Sequence, residues 1–267
     1  MGTYLDVKMI VTDLDRTLLR SDKSISDYTA GVLHACQQRG MTVVFATARS
    51  ENSCKQFIDM IRPDAVISNG GALVRTGGKI IYRAVMMRET ANQLLLSCLS
   101  QPNIGYITVD TDKGYFVNKP VNEQDPGWVE YLPAYRRDFS LGLDCDAYKI
   151  TVEIFDNTTA YAITSAFPTI AVIPFSGENW IRIADKKADK WHGLNALAAH
   201  MGIDPKNIAA FGDDHSDIEM MRRCGAGVAV ANAIPEVKAV AGYVCDTNDD
   251  DGVARWLAET VGYMEGI

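Results

Sequence analysis

The chain has 267 residues, of which 47% are hydrophobic and 22% are charged, and its formal net charge at pH 7 is −8. This composition is that of a globular protein with one large domain or two modest ones, and it excludes a disordered or collagen-like chain. The acidic balance, with no cluster of Lys and Arg, excludes a nucleic-acid partner because the protein as a whole repels phosphate backbones.

The six cysteines are scattered along the chain without a CxxC pair, and no signal-peptide pattern opens the sequence. We therefore expect a cytoplasmic protein with reduced thiols. No apolar run approaches the roughly 18 residues that a membrane-spanning helix needs, so we expect no membrane partner. The sequence leaves the oligomeric state open.

Apolar strands alternate with amphipathic helices at the start of the chain. The pattern predicts strands over 7–12, 41–46 and 65–68, with helices over 26–39 and 51–61. Such alternation is typical of a parallel sheet with helices on both faces. Ligands of these sheets bind outside the carboxyl ends of the strands, which directs attention to the residues that follow each strand.

The pattern changes near residue 83 and returns near residue 186. In the intervening segment, the pattern predicts strands over 104–109, 115–118, 148–155, 170–175 and 180–184, with helices over 89–99 and 158–167. Afterwards we predict helices over 190–201, from 217, from 235 and after 250, with strands over 208–211 and 228–230. The predicted fold is α/β: a doubly wound, Rossmann-like core of residues 1–82 plus 186–267, with an inserted α+β cap domain of residues 83–185.

Two acids follow the first strand, in the segment Asp13-Leu14-Asp15-Arg16-Thr17. Residues two apart in an extended chain face the same way, so both carboxylates can converge on one site. Adjacent carboxylates repel each other unless a cation lies between them, and their hard oxygen atoms favour Mg²⁺. The alternative is a solvated turn, because Asp and Thr are common in turns.

Weaker signals follow the next strands and open a later helix. Thr47 is suited to hold a phosphoryl oxygen or to cap a helix. The segment containing Asn69, Ser-Asn-Gly-Gly, is a ligand loop or a Gly-rich turn, and Lys190 is a placed cation or a surface charge. Stronger evidence comes from the segment Gly212–Asp217, where an acid cluster again follows a strand and is hard to explain without a cation.

Taken in order, these motifs resemble those of the haloacid dehalogenase superfamily of phosphatases, and specifically its Cof-type branch with a large α/β cap. The four family motifs are matched, in chain order, by Asp13, Asp15 and Thr17; by Thr47; by Lys190; and by Gly212, Asp213 and Asp217. Supporting segments at 68–71, 227–233 and 248–254 are also similar, so the resemblance covers the whole chain.

The resemblance implies a Mg²⁺-dependent phosphatase that acts on small phosphorylated metabolites through an aspartyl-phosphate. Asp13 would be the nucleophile, and Asp15 would protonate the leaving alkoxide and then activate water. Thr47, Lys190 and Ser216 would hold the phosphoryl oxygens. Sugar phosphates, nucleoside monophosphates and cofactor phosphates all remain possible substrates at this point.

The resemblance also implies a set of metal ligands. Mg²⁺ would be held by Asp13, by the backbone carbonyl of Asp15 and by Asp213, with Asp217 and Asn69 in support. Because Asp15 must carry a proton before the first step, we expect its pKa to be raised by a neighbouring carboxylate and by partial burial.

Two positions depart from the family pattern. Arg16 stands where the family usually has Gly, and it could reach a substrate group, pair with a cap carboxylate or narrow the entrance. Ser216 replaces the usual Asn and reaches less far. We expect the cap to cover the site, with most of its aromatic residues forming the cap's own core: Tyr106, Tyr115, Phe116, Trp128, Tyr131, Tyr135 and Trp180.

Other functions remain open at this stage. A phospho-accepting signalling receiver also clusters acids beside a Lys, but this chain is longer and carries a cap-sized insertion. A sugar phosphomutase of the same fold would transfer the phosphoryl group to a second hydroxyl instead of to water. A binding protein with vestigial activity would find its best support in Arg16 and Ser216.

Overall fold

Two sheets organise the part of the chain described by this computed structural model, residues 5–129 and 131–260. The strands, in chain order, are β1 Met9–Thr12, β2 Thr42–Ala46, β3 Ala65–Ser68, β4 Leu73–Thr76, β5 Lys79–Arg83, β6 Ile104–Thr111, β7 Gly114–Val117, β8 Ala134–Arg136, β9 Lys149–Ile154, β10 Ile170–Pro174, β11 Trp180–Asp185, β12 Ile208–Gly212, β13 Ala226–Val230 and β14 Tyr243–Cys245. The helices are α1 Asp27–Gln38, α2 Lys55–Ile61, α3 Arg88–Leu99, α4 Pro126–Val129, α5 Asn157–Ala166, α6 Lys190–Met201, α7 Ile218–Arg223, α8 Pro235–Val240 and α9 Gly252–Thr260.

The core sheet has the strand order β14-β13-β12-β1-β2-β3-β4-β5. Its strands from β14 to β3 run parallel, and β4 and β5 add an antiparallel edge. The central strands are continuously apolar and buried, as a sheet covered on both faces requires. Because β1 lies between β2 and β12, the loops that follow these three strands meet at one edge of the sheet.

The cap sheet has the order β10-β11-β9-β6-β7-β8, with neighbours antiparallel except for the parallel pair β7 and β8. One face packs on α3 and α5: Ile107, Val109, Ile150 and Val152 are buried in one apolar cluster with residues of both helices. Since side chains alternate along a strand, residues 106, 108, 110, 149, 151 and 153 belong to the opposite face.

The core and the cap meet at a small apolar cluster, here called the hinge cluster. It consists of Ala72, Leu73, Ala84, Tyr148, Ala184 and Ala188. Both connections between the sheets pass through it, after β5 and after β11. Small side chains therefore occupy the point where the chain crosses between its two sheets.

The α/β fold with a parallel core sheet and an inserted cap is confirmed. The prediction omitted the hairpin of β4 and β5, the short strands β8 and β14, and helix α4. It also began α2 too early, because residues 51–54 form a turn. The boundaries of 1–82 plus 186–267 for the core and 83–185 for the cap stay a prediction. Within the residues described, no helix combines the length and the apolarity needed to cross a bilayer.

Candidate active site

Four parallel strands end in residues that the sequence singled out. Asp13 follows β1, Thr47 follows β2, Asn69 follows β3 and Asp213 follows β12. The backbone pairing extends just past the strands, because the N–H of Asp13 donates to the Phe211 carbonyl at 3.1 Å. The fold thus brings segments that are far apart in sequence to one edge of the core sheet.

Lys190 lies at the centre of a buried acid cluster. Its side chain is 1% exposed, and Nζ donates to Asp13 Oδ1 at 2.7 Å and to Asp217 Oδ1 at 2.6 Å. Lys190 is the first residue of helix α6, which is capped by Asp189, whose carboxylate accepts from the N–H of His192 at 2.7 Å. Burial alone would lower the pKa of Lys190, but Asp13 and Asp217 outweigh burial and raise it.

The close approach of α6 to the core depends on a glycine. Gly71 has φ +105°, and a Cβ there would lie 2.0 Å from the backbone carbonyl atoms of Asp189. Only Gly avoids this clash, because it has no Cβ, and it also adopts a positive φ without strain. The Ser-Asn-Gly-Gly segment therefore allows the helix that carries Lys190 to reach the acid cluster.

Three carboxylates converge around that lysine. Asp13, Asp213 and Asp217 each place an oxygen within 4.8 Å of the others, and all three are buried. Burial, together with the neighbouring carboxylates, raises the pKa of Asp13 well above its usual value, although Lys190 opposes the shift. Burial and Asp217 raise the pKa of Asp213 to about 7. One ammonium group does not balance three carboxylates, so the cluster is suited to a further cation.

The donor set fits Mg²⁺. Asp217 is fully engaged, because Oδ1 accepts from Lys190 and Oδ2 accepts from the backbone N–H groups of Asp213 and Asp214, both at 3.1 Å. Asp13 and Asp213 instead line the cavity described below. Magnesium in proteins typically keeps several waters and uses one or two carboxylates, which these two residues can supply.

Asp15 contacts two cations, and not the neighbouring carboxylate that was expected to raise its pKa. Arg49 donates to both of its carboxylate oxygens at 2.7 Å, and Lys23 Nζ donates to Oδ1 at 2.7 Å. Burial raises the pKa of Asp15, but these hydrogen bonds and charges prevail and lower it to about 2. The expectation of a raised pKa for Asp15 is therefore wrong for this arrangement, because two cations supplied by other segments were not foreseen.

The remaining predicted residues differ in their access to the cavity. Ser216 lines it. Ala48 and Arg49 line it beside β2, whereas Thr47 is fully buried and its Oγ1 accepts from the N–H of Arg49 at 3.1 Å. Asn69 is buried, and its N–H donates to the Arg49 carbonyl at 2.8 Å.

Arg16 adopts a backbone conformation in which Gly is usual, with φ +58°. A residue with a side chain costs roughly 1–2 kcal/mol there, which explains why Gly is common at this position. The half-exposed guanidinium lies on the cavity wall, with Nε 3.7 Å from Asp213 Oδ2. The strained conformation thus places a cation beside the acid cluster.

A cavity of about 740 Å³ lies between the acid cluster and the cap sheet. The cap side includes Tyr106, Tyr115, Trp128, Tyr131 and Trp180. The expectation that the cap's aromatic residues mainly form its core is therefore wrong for these five, because they lie on the face of the cap sheet opposite its helices or beside that face. Phe116 packs against the cap core, and Tyr135 is 51% exposed.

Polar contacts join the cap to the loops that carry the acid cluster. Lys149 Nζ donates to the Ala48 carbonyl at 2.6 Å, and Arg182 Nη1 donates to the Gly70 carbonyl at 2.8 Å. The Ser176 hydroxyl donates to the carboxylate of Asp214. These contacts hold the cap over the site in this structure.

Several residues of the site were missed from the sequence. Arg49, two residues after Thr47, was given no role from the sequence, although a cation at a strand end is a signal for anion binding or for pairing with an acid. Lys23, Asp110 and Lys149 were not singled out. The polar residues at 108, 110, 149, 151 and 153 alternate with apolar ones, and that alternation was a signal for a second functional face.

Residues 10–257 match the family model of haloacid dehalogenase-like hydrolases. The chain is 25% identical over 262 residues to the 5-amino-6-(5-phospho-D-ribitylamino)uracil phosphatase YcsE of Bacillus subtilis (strain 168), covering 96% of this chain and 97% of the relative. It is also 27% identical to the 5-amino-6-(5-phospho-D-ribitylamino)uracil phosphatase YitU of the same organism, covering 94% of this chain and 96% of the relative. The fold resembles that of the subclass IIB sugar phosphatase BT4131, with a TM-score of 0.85, 22% identity and coverage of 95% and 98%.

Proposed function

Because the chain belongs to the haloacid dehalogenase-like hydrolase family and is a phosphatase, we propose that it hydrolyses phosphate monoesters of small metabolites with Asp13 as the nucleophile. The observation that carries this proposal is the position of the Asp13 carboxylate. It lines the cavity, is held by the buried Lys190, and lies beside Asp213 in an acid cluster that favours a cation.

In the proposed first step, a carboxylate oxygen of Asp13 attacks phosphorus, and the bond from phosphorus to the leaving alcohol oxygen breaks. Asp15 gives its proton to that oxygen. In the second step, Asp15 as a carboxylate takes a proton from water, the water oxygen attacks phosphorus, and the bond to Asp13 breaks with release of phosphate. Lys190 orients Asp13 and favours its ionised form, since its ammonium group contacts Oδ1.

Asp13, Asp213 and the backbone carbonyl of Asp15 would hold Mg²⁺, which when bound supplies positive charge that offsets the repulsion between a carboxylate and a phosphate. Thr47 and Ser216 are proposed to bind phosphoryl oxygens, and Asp217 and Asn69 to support the loops. Asp217 does so by accepting from two backbone N–H groups and from Lys190.

The ion pairs of Asp15 favour its carboxylate form, which the second step requires, whereas the first step requires Asp15 to carry a proton. With a pKa of about 2, Asp15 is a carboxylate at neutral pH and therefore a base. Lys23 and Arg49 line the cavity, so an incoming phosphate group competes for them. We infer that substrate binding weakens their pairing with Asp15 and allows it to take up the proton that the leaving group needs.

The test is a phosphate-release screen with Mg²⁺ over sugar phosphates, nucleoside monophosphates, cofactor phosphates and 5-amino-6-(5-phospho-D-ribitylamino)uracil. We expect release from several of these, loss of release with EDTA, and loss of at least about 10³-fold in kcat for Asp13→Asn. The matched control is Asp144→Asn, because Asp144 is an exposed acid of the cap and should be dispensable.

Wild-type activity in Asp13→Asn would show that this nucleophile is wrong. A phosphorylated isomer as the product, in place of inorganic phosphate, would identify a phosphomutase. We also propose a cytoplasmic location, where its six free cysteines would stay reduced.

A further inference from the structure

One face of the cap sheet closes the cavity with aromatic side chains. This aromatic wall consists of Tyr106, Tyr115, Trp128, Tyr131, Phe175 and Trp180. Trp128 is at its centre, with ring centroids at 4.9 Å from Tyr106, 6.4 Å from Trp180 and 6.5 Å from Tyr131. Tyr115 stacks on Tyr131 at 5.4 Å. Except for Phe175, the rings form a connected surface although they come from separate strands and loops.

The charged groups on the same face are mostly engaged within the protein, and Thr108 and Thr151 also line the cavity. Lys149 donates to the Ala48 carbonyl, and Glu153 Oε2 accepts from the N–H of Tyr106 at 3.0 Å. Asp110 is the exception. It is 5% exposed and lines the cavity, its Oδ2 lies 3.5 Å from Lys149 Nζ, and that oxygen accepts no hydrogen bond from the residues described.

These features favour a particular kind of ligand. A polyol that packs against these rings gives up hydrogen bonds from its hydroxyl groups to water, and the faces of the aromatic wall do not replace them. A flat ring loses little, because its faces are apolar and pack against aromatic side chains. A buried carboxylate oxygen that accepts no hydrogen bond favours a ligand that supplies a donor, and an N–H at the edge of a flat ring supplies one while the ring faces stay on the aromatic wall.

We propose that the alcohol released by this phosphatase carries a planar nitrogen heterocycle, which packs against Trp128 in the aromatic wall and donates an N–H to Asp110. The inference rests on the proposed function for the position of the phosphate, which lies at Asp13 on the opposite side of the cavity. It goes further in assigning the leaving group, and in naming Trp128 and Asp110 as residues that determine specificity.

The first test compares kcat/KM for substrates with and without a ring. Uridine 5′-monophosphate, pyridoxal 5′-phosphate and flavin mononucleotide form one group, and ribose 5-phosphate and glucose 6-phosphate form the other. We expect at least one member of the first group to be the best substrate. Trp128→Leu should lower its kcat/KM by roughly 10- to 100-fold while changing the values for ringless substrates less than about threefold.

Asp110→Asn should lower kcat/KM for the best ring substrate by about 10-fold, because an amide oxygen accepts less strongly than a carboxylate. The matched control is Tyr135→Ala, which removes an aromatic ring of the cap that is 51% exposed and outside the cavity lining. This control should leave both groups of substrates unchanged.

The second test measures binding without turnover. Titration calorimetry of Asp13→Asn with the intact best ring substrate should give a Kd that weakens roughly 10- to 100-fold when Trp128→Leu is added. If Asp13→Asn retains turnover, the proposed function fails, whatever the substrate. If turnover depends on Asp13 but ringless substrates are preferred, or if Trp128→Leu affects both groups equally, the assignment of a heterocycle is overturned.

Discussion

The core wall and the cap wall of the cavity are built in different ways. The core wall consists of loops at strand ends, and its charged groups contact each other at 2.6 to 2.7 Å, as Lys190 does with Asp13 and Asp217. The cap wall consists largely of residues within strands, such as Tyr106, Asp110 and Lys149, and it combines six aromatic rings with polar side chains. Under the proposed function the core wall would carry out the reaction and the cap wall would recognise the substrate, so substitutions in the two walls should have different kinetic effects.

The largest expected effect is on the core wall. Lys190→Met leaves Asp13 and Asp217 buried without their ammonium partner, so kcat should fall by about 10²- to 10³-fold. The free energy of unfolding should fall by about 3–5 kcal/mol in the metal-free protein, as measured by urea denaturation. Lys187→Met, an exposed lysine three positions earlier, is the control and should change neither quantity. Similar losses in both variants would contradict the distinct role of Lys190.

The next effect concerns the backbone that positions Lys190. Gly71→Ala places a Cβ 2.0 Å from backbone atoms of Asp189 at φ +105°, so the start of α6 must shift. We expect a loss of about 1–3 kcal/mol in unfolding free energy and at least a 10-fold lower kcat. Gly77→Ala is the control, because Gly77 also has a positive φ, +53°, and no atom lies within 4 Å of the added Cβ. It should cost about 1 kcal/mol and leave kcat unchanged, and a normal kcat in Gly71→Ala would argue against the positioning role.

On the cap wall, a substitution should alter KM more than kcat. Lys149→Met removes the donor to the Ala48 carbonyl and the cation beside Asp110. We expect a roughly 10-fold higher KM for the best substrate with kcat within about threefold of wild type, measured by steady-state kinetics. A change confined to kcat would remove the kinetic distinction between the two walls.

The smallest effect is expected outside both walls. Asp251 accepts from Arg20, Ser26 and Thr29. Burial raises its pKa, but these hydrogen bonds prevail and lower it. The stability from ionised Asp251 is therefore present above the ordinary Asp pKa of about 4, and it is lost as the pH falls through the lower folded-state pKa.

Asp251→Asn should consequently reduce the free energy of unfolding by about 1 kcal/mol at pH 7, with normal kcat and KM. The difference from wild type should shrink at pH 3, as measured by urea denaturation at both pH values. A difference that stays constant with pH would mean that the charge of Asp251 does not contribute.

The contrast between the walls also explains what the sequence could reveal. The core motifs are contiguous, and each follows an apolar strand, so the convergence of Asp13 and Asp213 could be predicted from the parallel sheet alone. The lowered pKa of Asp15 could not be predicted, because Lys23 and Arg49 contact its carboxylate from other segments of the chain. The direction of this pKa shift depends on distances between side chains, which spacing in the sequence does not determine.

The cap wall was harder to predict because its residues are spread from Tyr106 to Trp180, and no two members of the sheet face are adjacent in sequence. Their alternation with apolar residues was visible in the sequence. Which face of the cap sheet turns toward the core sheet depends on the tertiary arrangement, which the alternation does not reveal. The missed hairpin of β4 and β5 is different, since the intervening Gly77-Gly78 is a recognisable two-residue turn signal. That omission was an error of interpretation.

The hinge cluster has a consequence for the catalytic cycle. Four of its members are alanines, at 72, 84, 184 and 188. Short side chains interlock little, so we expect the cap to swing open with a small loss of buried apolar surface. Release of inorganic phosphate would then be limited mainly by breaking the polar contacts that Lys149, Arg182 and Ser176 make with the core loops.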